Sequence, residues 1–286
     1  MQPESRKGQI SVAWNGLQLK IPDTWDLRVG GHRNLIFEKE LQPQWQLRWA
    51  EGSRGSTKAV EGGLPALTDK LGSPMREPPA AWQGLKRTFR HLTCYQLENG
   101  NLGGGACICP QCSTILSFQL LTEDPELIRL AAESFASLSC HSGKQTLWRM
   151  QDFSLVTPPS FTLTDYTFGA GLTRLSFRQA DLILHTCRLA SADERLAGQT
   201  LEEILLILAD VVEFDHTRGD DSACQGYRRP SIPRQIMFRL RREKPFVWAK
   251  LWHDSDSNRL LGVVLQANRP IPEKTATTIC KRYEIV

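Results

Sequence analysis

The sequence lacks the long apolar runs and the strong excess of one charge that mark several large classes of protein. Its longest apolar stretch, Ile204 to Val212, is interrupted by Asp210 and is too short to cross a bilayer. The first nine residues are polar and charged, so we expect no signal peptide. The net charge of +4 is weaker than that of proteins whose main task is to grip nucleic acid. These absences predict a soluble cytoplasmic protein without membrane insertion.

Short motifs of common catalytic sites are missing as well. The sequence contains no Gly-x-Ser-x-Gly elbow, no phosphate-binding loop and no His-Glu-x-x-His pair. Acid and base groups are offered by two pairs, Asp215 with His216 and Asp220 with Asp221, but no paired nucleophile accompanies them. We therefore predict that the protein is not an enzyme.

Cysteine is present in an arrangement that points to metal. Cys107, Cys109 and Cys112 fall within six residues, and Cys140 stands next to His141. In a reducing compartment such cysteines are free or metal-bound rather than paired in disulfides. The two-residue gap between Cys109 and Cys112 is the spacing of a zinc knuckle.

The elements between the cysteines bring the distant thiol back to the knuckle. A strand over 114–121 would climb roughly 26 Å and a helix over 125–139 would descend roughly 22 Å, so Cys140 returns to the hairpin tip. If the chain before the knuckle is extended, Cys107 points to the same face as Cys109. We predict a structural zinc site whose ligands are Cys107, Cys109, Cys112 and Cys140, with His141 as an alternative fourth ligand. Unrelated free thiols, or a redox or iron–sulfur site, are the alternatives.

The two halves of the chain repeat one order of elements. Each opens with a strand, a proline turn with an aromatic residue, and a second strand, and each closes with a hairpin and a helix. This order predicts two tandem domains, residues 1–145 with the cysteine knuckle and residues 146–286 as a degenerate repeat. Because antiparallel strands mix with helices, we expect the α+β class, with two tandem sandwich domains that are each an antiparallel sheet packed with helices.

Several single elements are predicted with this order. Thr200 and Glu203 complete a capping box and predict a helix that begins at Leu201. Gly103 to Gly105 are interpreted as a flexible hairpin connection. The remaining segments are a short helix over 64–71, long loops over 72–84 and 215–233, and a strand over 235–242.

The openings of the two halves resemble a known family. Leu19 to Leu27 and Leu155 to Leu163 both read Leu-x-x-Pro-x-x-Trp/Phe-x-Leu, and a Leu-x-Phe strand follows each. With the last strand and C-terminal helix, this pattern resembles the PsbP and Ran-binding Mog family of α/β/α sandwiches, in two tandem copies over nearly the whole chain. The resemblance implies a mostly non-catalytic protein that binds partner proteins, as the Eag chaperones of type VI secretion shield apolar helices of effectors. The cysteine knuckle is not part of that pattern.

A second candidate site combines arginine with tryptophan. If 235–242 is a strand, Arg239 and Arg241 lie on the same face of it. On the strand that follows the next turn, Trp248, Lys250 and Trp252 share one face. Cross-strand packing, with arginine stems over the indole rings, is the first interpretation of this arrangement. The same face is also the best candidate for a binding surface, as a stacking platform for nucleic acid or an anchor for an acidic protein. The predicted binding residues are Arg239, Arg241, Trp248, Lys250, Trp252 and, in a Pro/Ala/Gly loop, Trp82 as an exposed anchor.

The predicted function is protein binding, as an adaptor, a chaperone or a structural subunit of a larger assembly, with zinc as a structural cofactor. A nucleic-acid-binding subunit that uses the Arg/Trp face is the first alternative, and a thiol redox protein is the second.

Overall fold

The computed structural model describes residues 8–52, 71–141, 143, 145–169 and 171–286. The chain divides into two compact units. The first consists of Met1–Gly143 with Leu147–Gln151, and the second of Lys144–Thr146 with Asp152–Val286. The division between residues 145 and 146 that the sequence predicted falls in the stretch where the chain passes from one unit to the other.

The first unit is built almost entirely from antiparallel strands. Its elements are β1 Gln9–Trp14, β2 Leu17–Pro22, β3 Asp26–Gly31, β4 Asn34–Lys39, β5 Gln42–Ala50, β6 Ser73–Pro74, α1 Ala80–Gln83, a 3-10 turn Gly84–Arg87, β7 Arg90–Gln96, β8 Leu102–Ile108, β9 Ile115–Leu120, α2 Pro125–Ala136 and β10 Thr146–Met150. Seven strands form one sheet in the order β3-β4-β5-β9-β8-β7-β6. The hairpin β1–β2 lies outside that sheet, and β10 runs antiparallel beside β1 with Arg149 opposite Ala13.

The second unit repeats this strand order. Its elements are β11 Phe153–Thr157, β12 Thr162–Gly169, β13 Leu172–Gln179, β14 Leu182–Ala190, α3 Ala192–Leu196, α4 Leu201–Ala209, β15 His216–Gly219, β16 Ala223–Arg228, α5 Ile232–Leu240, β17 Phe246–Asp254, β18 Arg259–Ala267, α6 Glu273–Cys280 and β19 Tyr283–Ile285. Its seven-stranded sheet has the order β12-β13-β14-β18-β17-β16-β15, which matches the first sheet position by position.

The predicted α+β class is wrong, because the fold is β-rich. Nineteen strands and only six α-helices occur in the described ranges, and the longest helix has 12 residues. Segments whose composition suggested loops or turns are strands instead. The glycine run 103–105 lies inside β8, and the predicted loop 215–233 contains β15 and β16.

Other single-element predictions had mixed outcomes. The capping box is confirmed, since the Thr200 hydroxyl accepts a hydrogen bond from the Glu203 amide and α4 begins at Leu201. The predicted loop 72–84 contains β6 and α1. The helix predicted over 64–71 falls outside the described residues except for Leu71.

The strand predicted over 235–242 is also wrong, because this segment is helical. Within α5 and just beyond it, the Gln235 amide donates to the Ser231 carbonyl and the Arg241 amide donates to the Met237 carbonyl. Ile232, Ile236 and Leu240 are spaced by four, which places them on one face of a helix. Ile236, Phe238 and Leu240 also alternate along the chain, as the residues on one face of a strand do. The local pattern therefore did not distinguish a helix from a strand.

Aromatic rings fill the core of the first unit. Trp82 stacks on Phe118 with 4.0 Å between ring centroids, and Phe37 stacks on Trp45 at 4.1 Å. Phe135 of α2 contacts both groups, with centroids 5.1 Å from Phe118 and 6.5 Å from Trp45. These contacts fix α2 on the sheet and so fix the position at which the chain leaves the helix.

The second unit closes the equivalent region with aromatic side chains. After α6, β19 pairs with β11 with Tyr283 opposite Leu155. The buried Tyr283 ring makes edge contacts with Phe153 at 5.9 Å and with Trp252 of β17 at 5.8 Å, measured between centroids. The chain that follows α6 is therefore joined to both β11 and β17.

None of the helices in the described ranges is both long enough and apolar enough to span a bilayer.

Candidate metal centre

The turn between β8 and β9 carries two of the predicted ligands. The Cys109 amide donates to the Thr114 carbonyl at 2.9 Å, and the Ser113 amide donates back to the Cys109 carbonyl at 3.0 Å. Ser113 has a φ of 61°, in the left-handed region that tight turns use. These bonds hold the segment from Cys109 to Cys112 as a compact loop at the end of the hairpin.

The chain after α2 supplies the other two ligands. Asp124 caps the helix, since its carboxylate accepts from the Glu126 amide at 2.8 Å. Beyond the helix, Ser139 exchanges two backbone hydrogen bonds of 2.8 Å with Gln18 of β2. This anchoring places Cys140 and His141 against the β8–β9 turn.

Four donor atoms meet at this point. The sulfur of Cys112 lies 3.4 Å from the sulfur of Cys140, and the sulfur of Cys109 lies 3.7 Å from Nδ1 of His141. All four ligand atoms lie within 4.8 Å of one another. The site ranges from buried Cys109, through half-buried Cys112 and Cys140, to exposed His141. This group can hold a metal ion.

The two closest thiols differ in their tendency to ionise. Burial opposes ionisation of Cys112, but hydrogen bonds from the hydroxyl and backbone of Thr114, and from the neighbouring thiols, lower its pKa below the ordinary value. Burial raises the pKa of Cys140, and the hydrogen bonds and negative charge of the other two cysteines raise it further. Of the two thiols, Cys112 is therefore the one that ionises more readily.

Cys107 is a core thiol outside this group, so its prediction as a ligand is wrong. It is fully buried on β8, opposite Leu116 of β9, and burial raises its pKa far above the ordinary value. The prediction assumed that strand alternation continues to Cys109, but β8 ends at Ile108 and the turn begins there. His141, predicted as the alternative, completes the group instead.

The strand that was to carry the arginines of the predicted Arg/Trp face is a helix in the described structure. Trp248, Lys250 and Trp252 do alternate on β17, and the Lys250 ammonium lies 5.9 Å from the centre of the Trp252 ring. Arg239, however, lies on α5 and Arg241 directly follows it, instead of pairing with β17 as a strand. Cross-strand packing accounts for Trp248, which is buried opposite Tyr227 of β16.

Trp82 is not an exposed anchor, which corrects that prediction. Its ring is fully buried and stacks on Phe118. The Pro/Ala/Gly composition of the surrounding segment suggested exposure, but the stacking partner comes from β9 and is distant in the sequence. Sequence reasoning also missed the exposed apolar face of α5, although the spacing of Ile232, Ile236 and Leu240 carries the signal.

Comparisons with known proteins assign no family. No protein-family model matches the chain, and no curated protein matches it. Among solved structures, MucB covers 98% of this chain and 94% of its own, with 11% identity and a TM-score of 0.23. A second match is a mutant of the vaccine antigen transferrin-binding protein B from Haemophilus parasuis. The match covers 88% of this chain and 65% of that protein, with 7% identity and a TM-score of 0.12. Neither similarity is close enough to carry an argument about this protein.

Proposed function

We propose that this protein is a non-catalytic binding protein whose first unit is cross-linked by a structural zinc ion. The ligands are Cys109, Cys112, Cys140 and His141. The observation that carries the proposal is the approach of their four donor atoms to within 4.8 Å. The donors come from two segments that are distant in the sequence, so an ion between them joins the β8–β9 turn to the end of α2.

The donor set and its spacing fit zinc. Tetrahedral zinc with Zn–S bonds of about 2.3 Å and Zn–N bonds of about 2.0 Å separates two sulfurs by roughly 3.8 Å and a sulfur from a nitrogen by roughly 3.5 Å. The corresponding distances here are 3.4 Å between Cys112 and Cys140 and 3.7 Å between Cys109 and His141. Three thiolates with one imidazole form a common structural zinc set.

A structural role follows from the number of ligands. Four protein ligands fill every position of a tetrahedral ion and leave none for water or substrate. Because binding requires thiolates, the ion would release protons from the thiols and add its binding free energy to the stability of the folded state. The role as an adaptor or subunit with a protein partner is supported by the repeated sequence pattern of the two halves. The repeated seven-stranded sheet supports it by offering two related scaffolds for binding surfaces.

Metal analysis with matched cysteine variants tests the site. We expect protein purified without chelator to contain one zinc ion per chain by native mass spectrometry. Cys109→Ser and Cys140→Ser should lose the ion. Cys107→Ala is the matched control, since Cys107 lies two residues from the turn and outside the group, and it should keep the ion. Metal-free wild-type protein after incubation with zinc, or loss of zinc in the Cys107 variant alone, would contradict the ligand set.

A thiol redox role is the second candidate, and one contact favours it. The sulfurs of Cys112 and Cys140 are 3.4 Å apart, and the lowered pKa of Cys112 makes its thiolate available. Oxidation by a disulfide such as oxidised glutathione would join the two sulfurs and reduce the oxidant to two thiols. Counting free thiols after glutathione treatment separates the roles. Loss of two thiols from zinc-loaded protein supports redox chemistry, and retention of all eight supports the structural ion.

A further inference from the structure

Helix α5 exposes an unusual concentration of apolar surface. Four of the eleven exposed large apolar side chains in the described ranges lie on this nine-residue helix. They are Ile232 (73% exposed), Ile236 (54%), Met237 (42%) and Leu240 (80%). At 100° per residue, Ile232, Ile236 and Leu240 form a stripe along the helix, and Met237 widens it to an arc of about 140°. We call these four residues the α5 stripe.

The opposite face of α5 is fastened to the second unit. Phe238 is half-buried under Arg228, whose guanidinium carbon lies 4.4 Å from the centre of the ring. Arg228 also donates to the carbonyls of Lys244 at 2.8 Å and Pro245 at 3.2 Å, and the Gln235 amide side chain donates to the Pro230 carbonyl at 2.8 Å. The helix therefore cannot rotate to bury its stripe without breaking these contacts.

Positive charge is concentrated in the same segment. Residues 228–244 contain seven basic side chains and one acidic side chain, a net charge of +6, whereas the whole chain carries +4. The rest of the chain therefore has a net charge of −2. The basic residues are Arg228, Arg229, Arg234, Arg239, Arg241, Arg242 and Lys244, and the acidic residue is Glu243. An anionic surface would attract this segment and repel the remainder of the molecule.

We propose that α5 is an interfacial helix that docks the protein on an anionic lipid surface. The α5 stripe enters the boundary between headgroups and acyl chains, and exposed arginines of the same segment, Arg234, Arg241 and Arg242, bind lipid phosphates. The stripe is a convex ridge, which a fluid bilayer accepts without a matching groove. The charge is spread over 17 residues, and a field of anionic headgroups neutralises such charge collectively, whereas an acidic protein would need a carboxylate near each arginine.

This surface is independent of the proposed metal centre, because it shares no residue with it. Docking of this kind is peripheral, since a helix of nine residues lies in the interface and does not cross the bilayer. The exposed stripe and the net charge of the segment act together, so both the apolar and the electrostatic part must contribute to binding.

Vesicle co-sedimentation of the full chain tests the proposal. We expect binding to vesicles of 70% phosphatidylcholine and 30% phosphatidylserine at 50 mM NaCl, and little binding to pure phosphatidylcholine. Raising NaCl to 500 mM should weaken binding at least tenfold. Arg241→Gln and Arg242→Gln should each weaken it about fivefold, from about 1 kcal/mol per basic residue.

Paired apolar variants separate the stripe from general charge attraction. Ile236→Ser with Leu240→Ser should reduce binding to the anionic vesicles at least tenfold. Val212→Ser is the matched control, because Val212 is 94% exposed but lies outside α5, and it should bind like the wild type. All of these side chains are exposed, and an unchanged circular dichroism melting curve checks that each variant folds.

Three results would overturn the proposal. The first is no binding to the anionic vesicles at 50 mM NaCl. The second is binding to them that the double serine variant leaves unchanged. The third is binding of poly-glutamate, dependent on Ile236 and Leu240, without binding of vesicles. That outcome would mean that the α5 stripe binds an acidic protein partner and not a bilayer.

Discussion

Gly105 is one of the residues on which the close packing of β8 depends. A Cβ atom there would lie 2.5 Å from the Phe118 ring and 2.9 Å from the Thr93 carbonyl. The ring is held in place, because Trp82 stacks on one of its faces. We expect Gly105→Ala to lower the free energy of unfolding by about 1–3 kcal/mol, as overpacking does in other cores.

Urea unfolding with a matched glycine variant measures this effect. At Gly84, which ends α1 with helical backbone angles, an added Cβ meets no atom within 4 Å. Gly84→Ala should therefore be neutral or stabilise by up to about 1 kcal/mol, through a smaller entropy of the unfolded chain. Equal destabilisation by the two substitutions would show that contact with Phe118 is not the cause.

His185 makes the stability of the second unit depend on pH. Burial, and then the charge of Arg174, lowers its pKa to about 4, and Nδ1 lies 2.8 Å from the Ser176 hydroxyl. Unfolded histidine has a pKa of about 6.5, so between these values the unfolded chain binds more protons. Above about pH 6.5 His185 therefore does not change the free energy of unfolding with pH. As the pH falls to about 4, protonation of the unfolded chain lowers the free energy of unfolding by up to about 3 kcal/mol.

Unfolding free energies measured from pH 7.5 to pH 4 check this prediction. His185→Gln removes the titrating group, so the part of the slope between pH 6.5 and pH 4 should become smaller than in the wild type. Identical slopes in the two proteins would mean that His185 is protonated equally in the folded and unfolded chains.

Sequence reasoning found most of the cysteine and histidine group that could hold a metal, because the spacing of Cys109 and Cys112 is local. The gap between Cys109 and Cys112, and the returning strand and helix that carry Cys140, are visible in the sequence alone. The role of Cys107 was not, since it depends on β8 ending one residue before Cys109. Trp82 was misplaced for a related reason, because its stacking partner Phe118 is 36 residues away.

The capping box at the start of α4 is an element whose signal is wholly local. The Glu203 carboxylate accepts from the Thr200 amide at 2.7 Å, and the Thr200 hydroxyl accepts from the Glu203 amide at 3.2 Å. We expect Thr200→Ala to reduce the free energy of unfolding by about 1 kcal/mol. Thr200→Ser keeps the hydroxyl and should cost less than half as much, as measured by thermal melting. Equal losses in both variants would mean that the cap does not stabilise α4.

Elements with long-range causes were the ones that sequence reasoning missed. A run of three glycines has poor strand propensity, and β8 forms there because Leu71, Thr93 and Phe118 pack closely against it. The α+β prediction failed in part through such strands, since β6, β15 and β16 lie in segments whose composition suggested loops. For α5 the spacing of the apolar residues was ambiguous. In so short a segment it fits the two-residue period of a strand and the 3.6-residue period of a helix equally well.

Removal of metal from the whole chain tests whether the two units are independent. If zinc joins the β8–β9 turn to α2, a chelator should lower the stability of the first unit and leave the second unchanged. Hydrogen exchange measured by mass spectrometry should then show faster exchange in peptides from 102–141 and unchanged exchange in peptides from 246–286. Faster exchange in both groups would contradict an effect confined to one unit.

The two units secure the same corner of the same strand order with different chemistry. The first gathers three thiols and an imidazole beyond α2, and the second packs Tyr283 against Phe153 and Trp252 beyond α6. Sulfur is vulnerable to peroxide and to heavy metals, whereas a buried aromatic cluster is largely inert to both. Oxidation should therefore loosen this corner in the first unit, while the aromatic corner of the second unit stays packed.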